Sequence, residues 1–191
     1  MRSHLRLPLL LAIAAAACSD PNELAPPDVP NLVDTVELYA IEGTSRDLPS
    51  AFTVGPRRPH AVKSDEVENL FDFVFNVDTA GGGAEPLFLT LGALGLDLGS
   101  SAPGIQVSEE PFDSLVDPPN TGFNTDSAVA VTVGTTYVVR SRTSVCASSG
   151  LGVPMYAKIR PLGLTDSSIT LQVLANQNCG YRDLNPGIPE R

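Results

Sequence analysis

The stretch FDFVFNVD, residues 71–78, decides the fold class. Phe71, Phe73, Phe75 and Val77 occupy every second position, with Asp72, Asn76 and Asp78 between them. Successive side chains of an extended strand point to opposite faces, so this alternation sends the aromatic rings to a core and the carboxylates to water. Three of the chain's seven phenylalanines lie here, so the core is expected to form around this strand. Val74 falls on the polar side, which the pattern assigns to solvent.

Upstream, VDTVELYAI (33–41) repeats the alternation through Val36, Leu38 and Ala40, and AFTV (51–54) forms a second short strand. GPRRPHAVK (55–63) carries two prolines and reads as loop, and SDEVENL (64–70) as one helical turn capped by Ser64. Downstream, TAGGGAEP (79–86) turns the chain into LFLTLGALGLDL (87–98), where Leu87, Leu89 and Leu91 share one face. Gly92 and Gly95 argue against a helix there and mark a bulge or bend in a strand.

The last third is the most regular. SAVAVTVGTTYVVRSR (127–142) sets Val129, Val131 and Val133 on one parity, turns at Gly134, and continues with Tyr137 and Val139 against Val138, Arg140 and Arg142. VPMYAKIRPLGLTDSSITLQVLA (153–175) supplies two more strands, the first ending at Pro161, which has no ladder donor. In the second, Ile169, Leu171 and Val173 oppose Thr170, Gln172 and Leu174. Seven or eight short strands with Gly- and Pro-rich connections predict an all-β chain folded as an antiparallel β-sandwich, immunoglobulin-like in one version, with a small β-barrel as the runner-up. The chain has no tryptophan, so the buried Trp of true immunoglobulin domains is missing.

Two segments stand out as candidates for recognition. Residues 99–126 form a long loop rich in proline and acid, with Phe112, Leu115, Val116 and Phe123 available to pack over an edge or end of the sheet. The terminal NQNCGYRDLNPGIPER (176–191) brings Tyr181, Arg182 and Asn185 together. Phe112, Phe123, Tyr181 and Arg182 are the candidate recognition residues. The bland alternative for the terminal segment is a closure of the domain, with Arg182 paired to an acid.

The N-terminus reads separately. Arg2, His4 and Arg6 precede an apolar run from Leu7 to Ala17 interrupted by Pro8, and polarity returns at Cys18. That is the order of a secretory signal. As helix the run reaches about 16 Å against roughly 30 Å of hydrocarbon, too short for a span. Ala15, Ala16, Ala17 and Cys18 resemble the signal segments of bacterial lipoproteins, whose new N-terminal cysteine receives lipid. Ala15 stands where that family commonly has leucine. The resemblance implies cleavage before Cys18, acylation of its thiol, palmitate among the chains, and a bilayer as partner. Ser19 after the cysteine implies the outer-membrane type. The residues by themselves also fit plain secretion, or a soluble periplasmic protein with Cys18 at its mature end by chance. The expected organisation is a signal peptide over 1–17, a lipidated cysteine and Pro-rich tether over 18–32, and one β domain over 33–191. The tether, SDPNELAPPDVPN (19–31), has four prolines in thirteen residues and reads as an extended spacer. With Cys18 lipidated, Cys146 and Cys179 remain as an even pair in an oxidising compartment, which predicts a disulfide between them.

Charge and histidine count narrow the chemistry. Without residues 1–17 the chain keeps 10 of its 12 Lys and Arg and all 22 Asp and Glu, a formal charge of 10 − 22 = −12. Such a surface repels phosphate backbones, so nucleic acid is not an expected partner. His60 is the only histidine left, and the pattern gives it a solvated place in a loop rather than a catalytic one. No nucleophile elbow, phosphate loop or HExxH motif occurs, and no cofactor is expected. Asp72, Asp78, Glu109 and Glu110 could supply a pair of catalytic carboxylates. Asp97, Asp113, Asp117 and Asp126 could offer oxygen to calcium, though not in EF-hand spacing. Tyr39, Tyr137, Tyr156 and Tyr181 could stack on sugars, but predicted strand positions favour packing for most of them.

The expected function is therefore an envelope-tethered, non-catalytic β module, structural or binding a protein or polysaccharide. A carboxylate-based envelope hydrolase and a carrier of a small apolar ligand are the alternatives. Intact-mass analysis of protein from its native host should show loss of seventeen residues and an acylated Cys18; a free thiol there, or a retained leader, contradicts the anchor.

Overall fold

The computed structural model describes residues 24–62, 71–96, 99–145 and 152–190. In chain order the strands are β1 (Val33–Tyr39), β2 (Ala51–Thr53), β3 (Arg58–His60), β4 (Phe73–Asp78), β5 (Glu85–Leu89), β6 (Gly104–Ser108), β7 (Val129–Ala130), β8 (Thr136–Arg140), β9 (Ser144–Val145), β10 (Gly152–Val153), β11 (Tyr156–Leu164) and β12 (Ser168–Asn176). One sheet runs β3-β2-β4-β5-β7 and the other β1-β12-β11-β8-β6, with β9 and β10 forming a small separate hairpin. Every pairing is antiparallel. The result is a β-sandwich and not a closed barrel, so the enclosure that a carrier of apolar ligands needs is missing from the scaffold. Five strands on five also differs from the four-plus-three of a seven-stranded immunoglobulin domain.

The alternation in 71–78 does point Phe73, Phe75 and Val77 into the space between the sheets. They meet Leu38, Phe52, Phe88, Ile105, Val129, Tyr137, Val139, Ile159, Ile169, Leu171 and Val173, so strands of both sheets contribute alternate residues to one core. Phe88 joins the two sheets. Its ring lies 5.0 Å from Phe73 and 5.3 Å from Tyr137, both edge-to-face. Tyr137 then donates its hydroxyl to the Ala130 carbonyl (3.0 Å) and accepts from the Thr132 amide (2.9 Å). A β8 side chain thereby fastens the edge of the opposite sheet, with its polar tip satisfied as a buried phenol requires.

Neither outer face is left to water. Ala51, Phe71, Val74 and Leu91 form a second cluster over the first sheet, with Leu89, Leu94 and Leu96 packed on it. Phe71 therefore lies opposite its expected partners, because β4 begins only at Phe73. Leu87, Leu89 and Leu91 do share a parity, but Leu89 and Leu91 serve this outer cluster and Phe88 takes the inward position. The predicted strand over 87–98 stops at Leu89 and a 3-10 turn, Gly92–Leu94, folds back; Gly95 ends it at φ +76°.

The loop expected over 55–63 contains β3, paired with β2. Pro59 is compatible with a strand because β3 is an edge and needs no second ladder. Pro161 does not end its strand either. β11 runs to Leu164 with a bulge between Pro161 and Gly163. The Pro161 carbonyl accepts from Gly134 at 2.9 Å, which locates the missing Pro N–H on the side where β8 pairing has already stopped at Ile159. The helical turn expected over 64–70 lies outside the described residues.

Asp72, which the alternation assigns to solvent, is 1 % exposed. Its carboxylate accepts from the Val54 amide (2.7 Å) and the Arg142 amide (3.0 Å), tying the β2–β3 turn to the segment after β8. Burial pushes its pKa up to about 6, against the smaller lowering effects of those two amides and the Arg142 charge. A carboxyl with a raised folded pKa favours the fold most below its unfolded value and loses that contribution as pH rises through about 6. The stability of the native chain relative to Asp72→Asn should thus fall by about 2 kcal/mol between pH 4 and pH 7. Urea unfolding at both pH values checks this; a flat or rising difference contradicts it.

Candidate functional site

The outer face of the second sheet carries a third layer built from three irregular segments. Residues 109–123 supply Phe112 and Phe123, which pack with Tyr156, Leu174 and Leu184. The expectation that this loop would cover an edge or end is corrected to a face. Lys158, 2 % exposed on β11, donates to the Leu115 carbonyl (2.8 Å) and stands 5.0 Å from the Phe112 ring, with Arg160 at 5.1 Å on the same ring. Burial lowers the Lys158 pKa, while Asp113 and Asp183 act against that shift. Phe112, at 2 % exposure, is thus a buried anchor held by two cations. Phe123 lies 6.2 Å from Tyr156 under the Arg140 guanidinium at 4.9 Å. Gly104 lets it approach, since a Cβ there would meet the Phe123 Cβ at 2.8 Å.

The second segment is the C-terminal tail. Arg182 donates to the Tyr156 hydroxyl (2.8 Å) and to the carbonyls of Pro118 (2.5 Å) and Pro119 (3.1 Å), with its guanidinium 4.6 Å from the Tyr156 ring. The tail does close the domain, although through carbonyls and a ring instead of an acid. Tyr181 is buried and donates to Ala25 at 3.1 Å.

The third segment is the end of the expected tether. Residues 24–31 are docked on the tail rather than extended from the domain. The Asn178 carboxamide accepts from the amides of Asp28 and Val29, both at 3.0 Å, and donates to the Val29 carbonyl at 2.7 Å. Asn31 donates to the carbonyls of Asp183 (2.8 Å) and Asn185 (2.9 Å), and its backbone forms an antiparallel bridge with Gly187.

Where the N-terminal segment meets the tail, an open cleft of about 550 Å³ remains, within the range of ligand-binding clefts. Leu24 and Val116 give it apolar wall, Tyr181 and Arg182 line it, and Asp117, Asp183 and Glu190 contribute carboxylates. Asp183 is braced by the amides of Asn185 (2.8 Å) and Glu190 (3.1 Å), whereas Asp117 and Glu190 are exposed. Two of the four sequence-derived recognition residues therefore line one cleft. Phe112 and Phe123 do not line it.

The other candidates scatter. His60 is half-buried in β3, 6.4 Å from the Phe71 ring, with its pKa lowered by burial and then by the Arg58 charge. Asp72 and Asp78 sit at opposite ends of β4, about 20 Å apart along a strand and too far for a glycosidase pair. Asp78 accepts from Ala80, Asp113 pairs with Arg160 at 3.4 Å, and Asp126 accepts from Ser127. Asp97 lies outside the described residues, and among those described no cluster of three metal-ligating side chains occurs. Cys18 and Cys146 also lie outside them. Cys179 is disulfide-bonded, and the Cys146 with which the sequence pairs it lies outside the described residues.

Lys158 and Asn178 were missed by sequence reasoning. Lys158 falls on the outward parity of β11, where a lysine ordinarily meets water, and nothing local announces the loop that covers it. Replacing Arg182 by Ala should lower unfolding stability by about 1.5–3 kcal/mol, since two carbonyls and a phenol lose a charged donor. Lysine should recover only part of that, having no planar fork; a neutral Arg182→Ala in denaturant unfolding contradicts the closure. No family model matches this chain, nor does any curated protein or solved structure.

Proposed function

We propose that the chain is a non-catalytic β module, held at a bacterial outer membrane by lipid on Cys18, which recognises a protein at the cleft between its N-terminal segment and its tail. The observation that carries a protein over a polysaccharide is the character of the exposed apolar surface. Among the described residues the large exposed hydrophobic side chains are all aliphatic, and Tyr137, Tyr156 and Tyr181 are buried; Tyr39 is half-exposed on β1, where its hydroxyl donates to Glu37, and lines no part of the cleft. Sugar rings stack on exposed aromatic faces, and aliphatic walls suit side chains of a polypeptide.

Charge gives the partner a sign. Arg182 directs its donors at Tyr156 and two carbonyls, so the exposed carboxylates of Asp117 and Glu190 dominate the rim. A basic segment with an apolar neighbour complements that rim and is steered toward it at low salt. The non-catalytic reading is supported by how the polar groups are used. The carboxyl that burial raises belongs to Asp72, which bonds two backbone amides and lines no part of the cleft.

The loop over residues 109–123 is a poor handle for testing recognition, because Phe112 and Leu115 are buried in the packing beneath it. Charge reversal at the rim leaves the core intact. Native chain immobilised from Cys18 should capture a basic envelope protein reproducibly, and Asp117→Lys with Glu190→Lys should lose most of that capture while unfolding like the native chain. Retention of envelope polysaccharide by the native chain, or equal capture by both forms, contradicts the proposal.

A further inference from the structure

Two of the eight large exposed hydrophobic side chains among the described residues, Leu32 at 48 % and Ile188 at 52 % exposure, flank one backbone bridge. The antiparallel bridge between Asn31 and Gly187 explains the grouping. Asn31 turns its side chain inward, to 1 % exposure, so the alternating neighbours turn outward. Pro30 and Leu32 on one chain then flank Pro186 and Ile188 on the other, and all four are exposed. Such a cluster is the sort that marks an interaction surface on a small domain.

We propose that this face rests on a zwitterionic lipid surface. The inference rests on the anchor reading above, that Cys18 is acylated, and adds an orientation to it. Leu24, the first described residue, is six residues beyond Cys18. Fully extended, six residues reach at most about 20 Å. A domain of this size has a radius of gyration of roughly 15 Å, hence a breadth near 40 Å. The leash is half that breadth, so the domain cannot turn its far side to the bilayer.

Docking of the N-terminal segment makes the leash short. Had the spacer been free to residue 32, its reach would have about doubled, and no face would have been favoured. The bonds from Asn178 to Asp28 and Val29 and from Asn31 to the tail fix residues 28–31 on the domain, so that the free leash begins before Leu24, on the same segment that carries Pro30 and Leu32. Leucine and isoleucine on a surface held against the interface gain from partial burial there. The nearby Asp28 and Asp34, the latter paired with Arg57 at 3.2 Å, select a zwitterionic headgroup layer over an anionic one.

The chain's lack of tryptophan supplies the test. Acylated full chain carrying Leu32→Trp, Ile188→Trp or Val107→Trp is reconstituted in phosphatidylcholine vesicles whose acyl chains bear bromine near the headgroup. Val107 is 53 % exposed on β6, the opposite edge of the sheet from β1. Emission from the first two should shift to the blue and lose intensity to bromine, while the third stays red and bright. Equal quenching at all three positions, or at none, in chains whose intact mass shows the lipid overturns the orientation and leaves the anchor standing. A bare Cys18 thiol in the mass spectrum removes the anchor and the orientation together. A blue shift of Leu32→Trp that grows with protein concentration before vesicles are added assigns the face to a second copy and overturns the proposal as well.

Discussion

Three buried asparagines hold the ends of this chain together. Asn176, at the end of β12, donates to the Asp183 carbonyl (2.9 Å) and accepts from both the amide and the carboxamide of Asn178. Asn178 in turn clamps Asp28 and Val29, and Asn31 reaches back to Asp183 and Asn185. All three side chains are at most 5 % exposed. A buried carboxamide without partners costs about 1–3 kcal/mol, so these residues tolerate burial only while the N-terminal segment and the tail are both in place. The N-terminal segment, the tail and the last strand therefore form one cooperative unit. The cleft exists because that unit closes without filling the space between Leu24, Val116 and Tyr181.

Beneath that layer the sandwich obeys simpler physics. Phe88, Phe73, Phe75 and Tyr137 interlock across the sheets, and the aliphatic residues of β11 and β12 complete the core. What is unusual is how many polar side chains are drawn into fastening. Asp72 binds amides from two segments, Lys158 holds the loop, and Arg182 holds the prolines that follow Asp117. Each is a long-range tie between irregular backbone and strand. Together they place an acid-rimmed recess beside Leu24, the first described residue.

Alternation made the sandwich legible, and it failed where both faces of a strand are covered. In β4 the inward Phe73, Phe75 and Val77 followed from the period of two, but Val74, Asp72 and Asn76 looked solvated because the clusters above them come from distant segments. In β5 the pattern puts Leu87, Leu89 and Leu91 on one face without saying which, and Leu89 and Leu91 pack in the outer cluster while Phe88 enters the core. A period says which residues share a face and not which face is the core. Pro59 and Pro161 were read as strand breakers, yet both occupy positions where no donor is needed. The candidate site was legible in part. Tyr181 and Arg182 do meet a cleft, whereas Phe112 and Phe123 proved to be packing residues. Four prolines suggested an extended spacer, and nothing within residues 19–31 reveals an asparagine nearly 150 positions away that accepts its amides.

Residues 24–31 are held on the domain by Asn178 and the tail, and native-state amide exchange on the mature chain is the measurement that checks it. The amides of Asp28, Val29, Asn31 and Gly187 should exchange as slowly as those of β12, opening only with the unit they share. Exchange of those four at the rate of an unstructured peptide, with β12 still protected, would contradict it.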